Sequence, residues 1–156
     1  MGYSSVFEIW KDAVKKFPQR VALSDGTSEI TFLTAYREIC YLAECYKKFG
    51  LEKGDKVCIF AENSPHWLLI EQGAICIGAI SVAKNSKIGI KELDYVFKNS
   101  DSTSLITDNP EIINYFVKNN PDFVSQQKMV IFLGHDECFR NNEKITYFSD
   151  IMLNFN

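Results

Sequence analysis

Glycine is scarce in this sequence, with eight residues among 156, and the glycines never cluster into a phosphate-binding loop. Neither G-x-G-x-x-G nor G-x-x-x-x-G-K-[ST] occurs, and these are the loops in which backbone N–H groups commonly cradle phosphates. We therefore predict that this chain makes no phosphate site by itself. We assign it no catalytic, cofactor-binding or metal-ligating residue.

Long hydrophobic runs are also missing. The longest uncharged apolar-rich segment covers residues 72–83, which is shorter than the ~20 residues that a membrane-spanning helix needs. The first twenty residues mix charged and apolar side chains instead of forming an apolar signal core. We expect a cytoplasmic protein, and the sequence leaves a peripheral contact with a membrane open.

Neither sign of charge dominates the chain. Seventeen Lys and Arg residues stand against twenty Asp and Glu residues, which gives a formal net charge of −3. The lysines are scattered and form no basic stripe of the kind that attracts a polyanion. We therefore expect no nucleic acid among the partners of this protein.

Cysteine is present in an odd number and without C-x-x-C spacing. The five cysteines are Cys40, Cys45, Cys58, Cys76 and Cys138. This usage is typical of reduced thiols in a cytosolic protein. Cys138 follows His135 by three residues, but both lie in a polar stretch, so a surface loop is favoured over a Cys–His site.

The first fifty residues carry the signals of two helices and a hairpin. Apolar residues at helical spacing predict a helix over 4–17, with Ser4 or Ser5 as its cap and Pro18 after its end. Segments 21–23 and 29–32 flank the turn signal Asp25-Gly26, which predicts a short hairpin. A second amphipathic helix is predicted over 33–49, with its buried face given by the residues Tyr36, Ile39, Cys40, Ala43 and Tyr46.

The remaining residues alternate between strand and helix patterns. Predicted strands cover 57–61, 79–83, 104–107 and 128–133, and predicted helices cover 65–77, 90–98 and 110–118. The helix at 65–77 has Asn63 or Ser64 as its predicted cap and Pro65 as its predicted first residue. The tail at 145–156 adds a short strand and a last helical turn. Such alternation predicts an α/β fold in which βαβ units build a parallel sheet, with flanking helices and a short N-terminal hairpin. No linker divides residues 1–156, so we expect a single lobe.

Ligands of parallel sheets bind beyond the carboxyl ends of the strands. Four loops follow the predicted strands, at 62–66, 84–86, 108–109 and 134–137. His135, Asp136 and Glu137 are residue types that bind metals or transfer protons, but three consecutive side chains do not converge on one ion, so a solvated turn is favoured. For His66 we favour packing or capping over reaction, and for the apolar helix at 67–77 core packing over an acyl pocket.

Several segments resemble, in order and spacing, the start of the AMP-forming acyl-CoA synthetases. They are LEKGDKVCI at 51–59, NSPHW at 63–67, GA at 73–74, GAISV at 78–82 and ELDYVFKNS at 92–100, with Thr31-Phe32 before them. The resemblance covers roughly residues 5–110. It departs from the family at Ala83, where a proline is usual, and in the loop at 84–87.

The resemblance implies a ligase that uses ATP and Mg²⁺ to form an acyl-adenylate and then transfers the acyl group to CoA, with a fatty acid as substrate. It also implies that residues 1–156 are an N-terminal fragment of the large adenylate-forming domain. The family's phosphate loop and catalytic lysine would lie beyond Asn156, so we expect this fragment to be inactive and to bind ATP, Mg²⁺ and CoA only as part of its parent protein.

Two other hypotheses remain open. The chain could be a stand-alone, non-catalytic α/β module for binding or interaction, which predicts that it does not bind ATP. It could also be a flavodoxin-like cofactor binder. That fold would need a Ser/Thr/Gly-rich phosphate-binding loop after the first strand, and residues 62–65 lack this composition.

Overall fold

A computed structural model describes residues 5–155 of the chain. Its elements, in chain order, are α1 (Val6–Lys16), β1 (Val21–Ser24), β2 (Glu29–Thr31), α2 (Phe32–Lys48), β3 (Lys56–Phe60), α3 (Pro65–Cys76), β4 (Ile80–Lys84), α4 (Ile90–Asn99), β5 (Ser104–Thr107), α5 (Pro110–Asn119), α6 (Phe123–Gln126), β6 (Met129–Phe132), a 3₁₀ helix (Glu137–Phe139), β7 (Ile145–Tyr147) and α7 (Phe148–Met152).

The larger sheet has five strands in the order β4-β3-β5-β6-β7, and every neighbouring pair is parallel. β1 and β2 form a separate antiparallel hairpin. The predicted α/β fold with a parallel sheet and an N-terminal hairpin is therefore confirmed.

Alternate residues of the central strands pack against different sets of helices. Val57 and Ile59 belong to a core cluster with side chains of α2 and α3, which we call the α2/α3 face of the sheet. Cys58 and Phe60 belong to a second cluster with side chains of α4, α5 and α6, which we call the α4/α5 face. Helices cover both faces, which explains why the strands are almost continuously apolar.

Polar side chains fix the starts of three helices. Thr31 accepts a hydrogen bond from Thr34 N (3.2 Å), and Ser64 accepts one from Trp67 N (3.0 Å). Asn109 caps α5 in the same way. Pro65 opens α3, so the predicted cap and first helical residue of that helix are confirmed. Ser5 precedes α1 without a side-chain cap bond, and Ser4 lies outside the described residues.

α2 and α3 approach each other closely. A Cβ on Gly73 would lie 2.9 Å from Leu42 Cβ and 3.5 Å from Ala43 N, so only glycine fits this contact. Nearby, the buried Tyr46 hydroxyl donates to Ile70 O (3.3 Å). α3 is buried along most of its length, as its all-round apolar sequence indicates.

The structure differs from the predictions in two places. α6 and the 3₁₀ helix were not predicted, because four- and three-residue helices are too short to show a period. The buried face of α2 also differs from the predicted one. Glu38 and Leu42 are buried, whereas Tyr36 and Cys40, which were predicted to be buried, are only half-buried.

All five cysteines are free, and burial raises the pKa of the Cys58 thiol, which makes it a poor nucleophile. None of the helices described between residues 5 and 155 is long and apolar enough to cross a membrane.

Candidate functional site

A cleft of about 380 Å³ opens at the carboxyl ends of β3, β5 and β6. It is lined by Ala61, Glu62, Ser64, His66, Ile70, Asp108, Leu133, His135, Phe148, Ser149 and Met152. Clefts of this size are typical of small-molecule sites. The position agrees with the expectation that ligands bind beyond the carboxyl edge of a parallel sheet.

Hydrogen bonds between neighbouring strand ends hold the back of the cleft together. Glu62 N donates to Asp108 Oδ2 (2.8 Å), which ties the loop after β3 to the loop after β5. The Thr107 hydroxyl donates to Phe60 O (2.7 Å), and Leu133 N donates to Thr107 O (2.8 Å). Three strand ends are therefore fixed relative to one another before any ligand binds.

The floor of the cleft is apolar and belongs to the α2/α3 face. It consists of Ile70 from α3, Leu133 from the end of β6, and Phe148 and Met152 from α7. Ile70 is buried, whereas the other three side chains are half-buried, so the cleft exposes apolar surface that a ligand could cover.

Two contacts hold α7 in place beneath the cleft. The Tyr41 hydroxyl of α2 donates to Ile151 O (2.8 Å), a bond between residues 110 positions apart. Arg140 pairs with Asp150 at the other side of the short helix.

Both histidines of the sequence lie at the rim of the cleft, together with Ser149. His66, His135 and Ser149 are exposed, and their side chains make no hydrogen bond to another residue in the part of the chain that the structure describes. The His66 ring packs edge-on against Phe148, with 5.9 Å between ring centroids. Because Ser64 provides the cap of α3, the His66 imidazole is left available to the cleft.

The two carboxylates of the cleft already have partners. Glu62 forms an ion pair with Lys87 (2.9 Å). Asp108 accepts the Glu62 backbone bond through Oδ2, whereas its Oδ1 is buried with no protein partner. Glu62 and the Asp108 Oδ2 therefore join loops, whereas the Asp108 Oδ1, the two imidazoles and the Ser149 hydroxyl have no protein hydrogen-bond partner among the described residues.

A third carboxyl group, that of Glu38, lies in the α2/α3 face near His66. Glu38 is only 7% exposed, and its Oε2 has no hydrogen-bond partner. Burial raises the pKa of Glu38, and the charge of His66 opposes that rise.

The His135-Asp136-Glu137 segment is exposed, and its last residue begins the 3₁₀ helix. Among residues 5–155, no group of three or more His, Cys, Asp or Glu side chains is arranged to hold a metal ion. Cys138 is exposed, and its Sγ lies 3.9 Å from Asp136 O.

The structure brings three of the four predicted loops together. Residues from 62–66, 108–109 and 134–137 line the cleft, whereas none from the 84–86 loop does. His66 packs against Phe148, as favoured from the sequence, and also faces the cleft. Sequence reasoning missed the contribution of α7, because a five-residue helix carries no periodic signal that would place Phe148 and Met152 under the sheet edge.

Comparisons with known proteins show the family of this chain. The family described as "AMP-binding enzyme" matches residues 10–147. Two relatives from Arabidopsis thaliana are the "Long-chain-fatty-acid--[acyl-carrier-protein] ligase AEE15, chloroplastic", 29% identical over 85% of this chain, and an acyl-activating enzyme, number 16, also chloroplastic, 32% identical over 84%. The chain spans only 19% of the length of each.

Solved structures give the same result for the fold. The N-terminal subdomain of NpsA from Klebsiella oxytoca, in complex with anthranilyl-AMSN, is 30% identical, with a TM-score of 0.65 over 67% of this chain and 28% of that one. The anthranilate CoA ligase AuaEII has a TM-score of 0.80 over 97% of this chain and 28% of its own, at 19% identity. The chain therefore belongs to the AMP-binding enzymes, the adenylate-forming ligase family, as the N-terminal portion of their AMP-binding domain.

Proposed function

We propose that this lobe is part of an ATP-dependent ligase that activates a fatty acid as an acyl-adenylate and transfers the acyl group to CoA. The observation that supports this most is the family match over residues 10–147. One relative is named as a long-chain-fatty-acid ligase that acts on acyl-carrier protein, which agrees with a fatty acid as substrate and makes the carrier protein an alternative acceptor to CoA. The apolar floor of the cleft is also compatible with a fatty acid.

On this proposal, residues 1–156 are the N-terminal fragment of the large adenylate-forming domain and are inactive alone. The residues present do not fit ATP or Mg²⁺: the sequence lacks a glycine-rich phosphate loop, and Glu62 already pairs with Lys87. Stabilising charge on a transferring adenylyl group requires positioned cations and backbone donors. The remainder of the protein would have to provide them, and this lobe carries no catalytic residue.

For the parent protein we propose a cytoplasmic location, with peripheral contact with a membrane where its fatty acid is delivered. The free cysteines agree with a reducing compartment. The two plant relatives are named as chloroplastic proteins, so a fractionation experiment would have to distinguish the two locations.

The test begins with the reading frame of the source transcript beyond Asn156. If the frame stays open, the longer protein and the 156-residue chain are both assayed for diphosphate release from ATP with dodecanoate, with a reaction lacking the acid as control. We expect acid-dependent release by the longer protein and none by the 156-residue chain. A stop codon after Asn156, together with no binding of ATP, would instead support a stand-alone, non-catalytic binding module.

A further inference from the structure

The two edges of the five-stranded sheet are protected to different degrees. β7 has only three residues, two of them buried, and it runs directly into α7. β4 has five residues, pairs with β3 in unbroken register, and has no strand on its other side among residues 5–155. Proteins usually blunt such an edge with proline, a bulge or charged side chains. The first four residues of β4, ISVA, provide none of these, so this edge is open to another strand.

The hydrogen bonds to β3 show which backbone groups of β4 are unused. Ile80 N donates to Asp55 O (2.7 Å), so the first residue of the strand faces β3, and the carbonyl of its last residue accepts a bond from the end of β3 (3.2 Å). Successive residues of a strand direct their N–H and C=O groups to alternate sides. The backbone groups of Ser81 and Ala83 therefore face away from β3, where they have no hydrogen-bond partner among residues 5–155.

Ala83 stands where proline is usual in the adenylate-forming family. A proline has no N–H, and its ring would occupy the place of the outward-facing donor, which is one of the ways in which edge strands are blunted. Alanine leaves that donor exposed. The edge of β4 is therefore more open in this chain than the usual family sequence would make it.

An antiparallel copy of β4 matches the outward-facing groups in one register. In an antiparallel ladder, two residues that lie opposite each other can exchange both of their N–H···O bonds. When Ser81 lies opposite Ala83 of the partner subunit, the twofold axis passes beside Val82 and every outward-facing group is paired. The next registers would need Ala79 and Asn85, but the Ala79 N–H and the Asn85 carbonyl already bond within this chain.

We infer that a second copy of this chain pairs with the β4 edge, antiparallel and across a twofold axis, so that the two sheets become continuous. In this register Ile80, which is 49% exposed, lies opposite Lys84 of the partner subunit, and no like charges are opposed. A five-residue edge buries less than the ~1,200 Å² of a standard interface, so we expect a weak dimer. The inference is independent of the proposed ligase activity.

The first test uses sedimentation equilibrium of the 156-residue chain over a wide range of protein concentration, which measures the dissociation constant of the dimer. Ala83→Pro removes an outward-facing donor but no hydrogen bond to β3, and it should raise the dissociation constant at least tenfold. Ala83→Ser is the matched control, because it keeps the N–H, and should change the constant less than twofold. Urea denaturation checks that both variants fold.

Hydrogen exchange tests the geometry directly. Exchange of the Ser81 and Ala83 amides should slow as the protein concentration rises, because these amides become paired only in the dimer. The Ile80 and Val82 amides bond to β3 in the monomer, so their exchange should be slow at every concentration.

A charge pair tests the register. Ile80→Glu places a carboxylate opposite Lys84 of the partner subunit and should lower the dissociation constant several-fold at low salt, an effect that added salt screens. Ile80→Lys places two like charges opposite each other and should raise the constant by a similar factor. These exposed substitutions still decide the matter if Ala83→Pro does not fold.

Four results would overturn the inference: a monomer at every concentration, equal dissociation constants for Ala83→Pro and Ala83→Ser, exchange at Ser81 and Ala83 that does not depend on concentration, or a change in the same direction for both Ile80 variants. Protection of the Ser81 and Ala83 amides in a longer, monomeric protein would assign the edge to a later strand of that protein instead. Failure of the ligase proposal leaves the dimer unaffected, so the two failures are distinguishable.

Discussion

The two faces of the sheet are built from different side chains. The α4/α5 face is aromatic, with buried phenylalanines at Phe60, Phe97, Phe116, Phe123, Phe132 and Phe139. The α2/α3 face has no buried phenylalanine and consists mainly of aliphatic residues and Tyr46. It also contains the buried polar side chains of Glu38 and Gln72, and Gln72 accepts a hydrogen bond from Trp10 Nε1 (3.0 Å).

The two faces also differ in their position relative to the carboxyl-edge cleft. Phenylalanine rings on the α4/α5 face contact one another, as in the stacked pair Phe116–Phe123 with 4.5 Å between centroids. The floor of the carboxyl-edge cleft belongs to the α2/α3 face. The aromatic face thus packs ring against ring, and the aliphatic face provides the floor of the candidate cleft.

The largest effect should come from removing a ring from the aromatic face. Phe132 is fully buried and meets Phe139 and Tyr147 in T-shaped contacts. Phe132→Ala should lower the free energy of unfolding by about 3–5 kcal/mol, because it leaves a large cavity. Urea denaturation measures the change. Tyr95→Ala, at a 65% exposed position, should cost far less, and a similar loss in both variants would contradict the role assigned to the aromatic face.

On the aliphatic face, the close contact between α2 and α3 should not tolerate an added side chain. Gly73→Val would force apart α2 and α3, which meet at Leu42 and Ala43, and should lower the free energy of unfolding by about 1–3 kcal/mol. Gly89→Val is the matched control, because a Cβ at Gly89 meets nothing within 4 Å. Equal thermal denaturation midpoints for the two variants would show that the helices are not closely packed.

The smallest effect concerns the buried acid of the aliphatic face. Burial raises the pKa of Glu38 in the folded protein, so its stability contribution is complete below the unfolded pKa of about 4.3 and is lost as pH rises through the folded pKa. Glu38→Gln removes this loss. Its free energy of unfolding relative to wild type should therefore increase between pH 4 and pH 7.

An acid on the same helix provides the control. The Lys47 side chain donates a hydrogen bond to Glu44 and lowers the pKa of this exposed carboxyl group. The favourable contribution of Glu44 is therefore lost as pH falls, so Glu44→Gln should show the opposite pH trend. Parallel trends for Glu38→Gln and Glu44→Gln would show that Glu38 is not in a desolvated environment.

Features that depend on local sequence or on the order of the elements were predictable from the sequence. Strand β5 was predicted with its observed bounds, Ser104–Thr107, because a short apolar run lay between turn signals. The start of α3 was predicted from Pro65 and from Asn63 or Ser64 as the cap, since capping chemistry is local, and the structure has Ser64 in that role. The parallel topology predicted that the four loops after the strands lie at one edge, but not that the 84–86 loop would be left out of the cleft lining.

Features that depend on tertiary contacts were not predictable. The burial of Glu38 contradicts the solvent exposure usual for a charged residue on an amphipathic helix, and it arises because α3 covers that side of α2. Likewise, nothing local in the tail indicates that Phe148 and Met152 form the floor of a cleft whose rim begins some eighty residues earlier, at His66.

The attachment of α7 has a consequence for how the molecule opens. This helix has five residues, and its bond to Tyr41 closes a loop of 110 positions, whereas the sheet is held by ladders between neighbouring strands. Short elements with few contacts undergo local unfolding at lower free energy than a sheet core. Hydrogen exchange at α7 should therefore be faster than in β5, and the cleft would lose its floor in a partly opened molecule whose sheet is still intact.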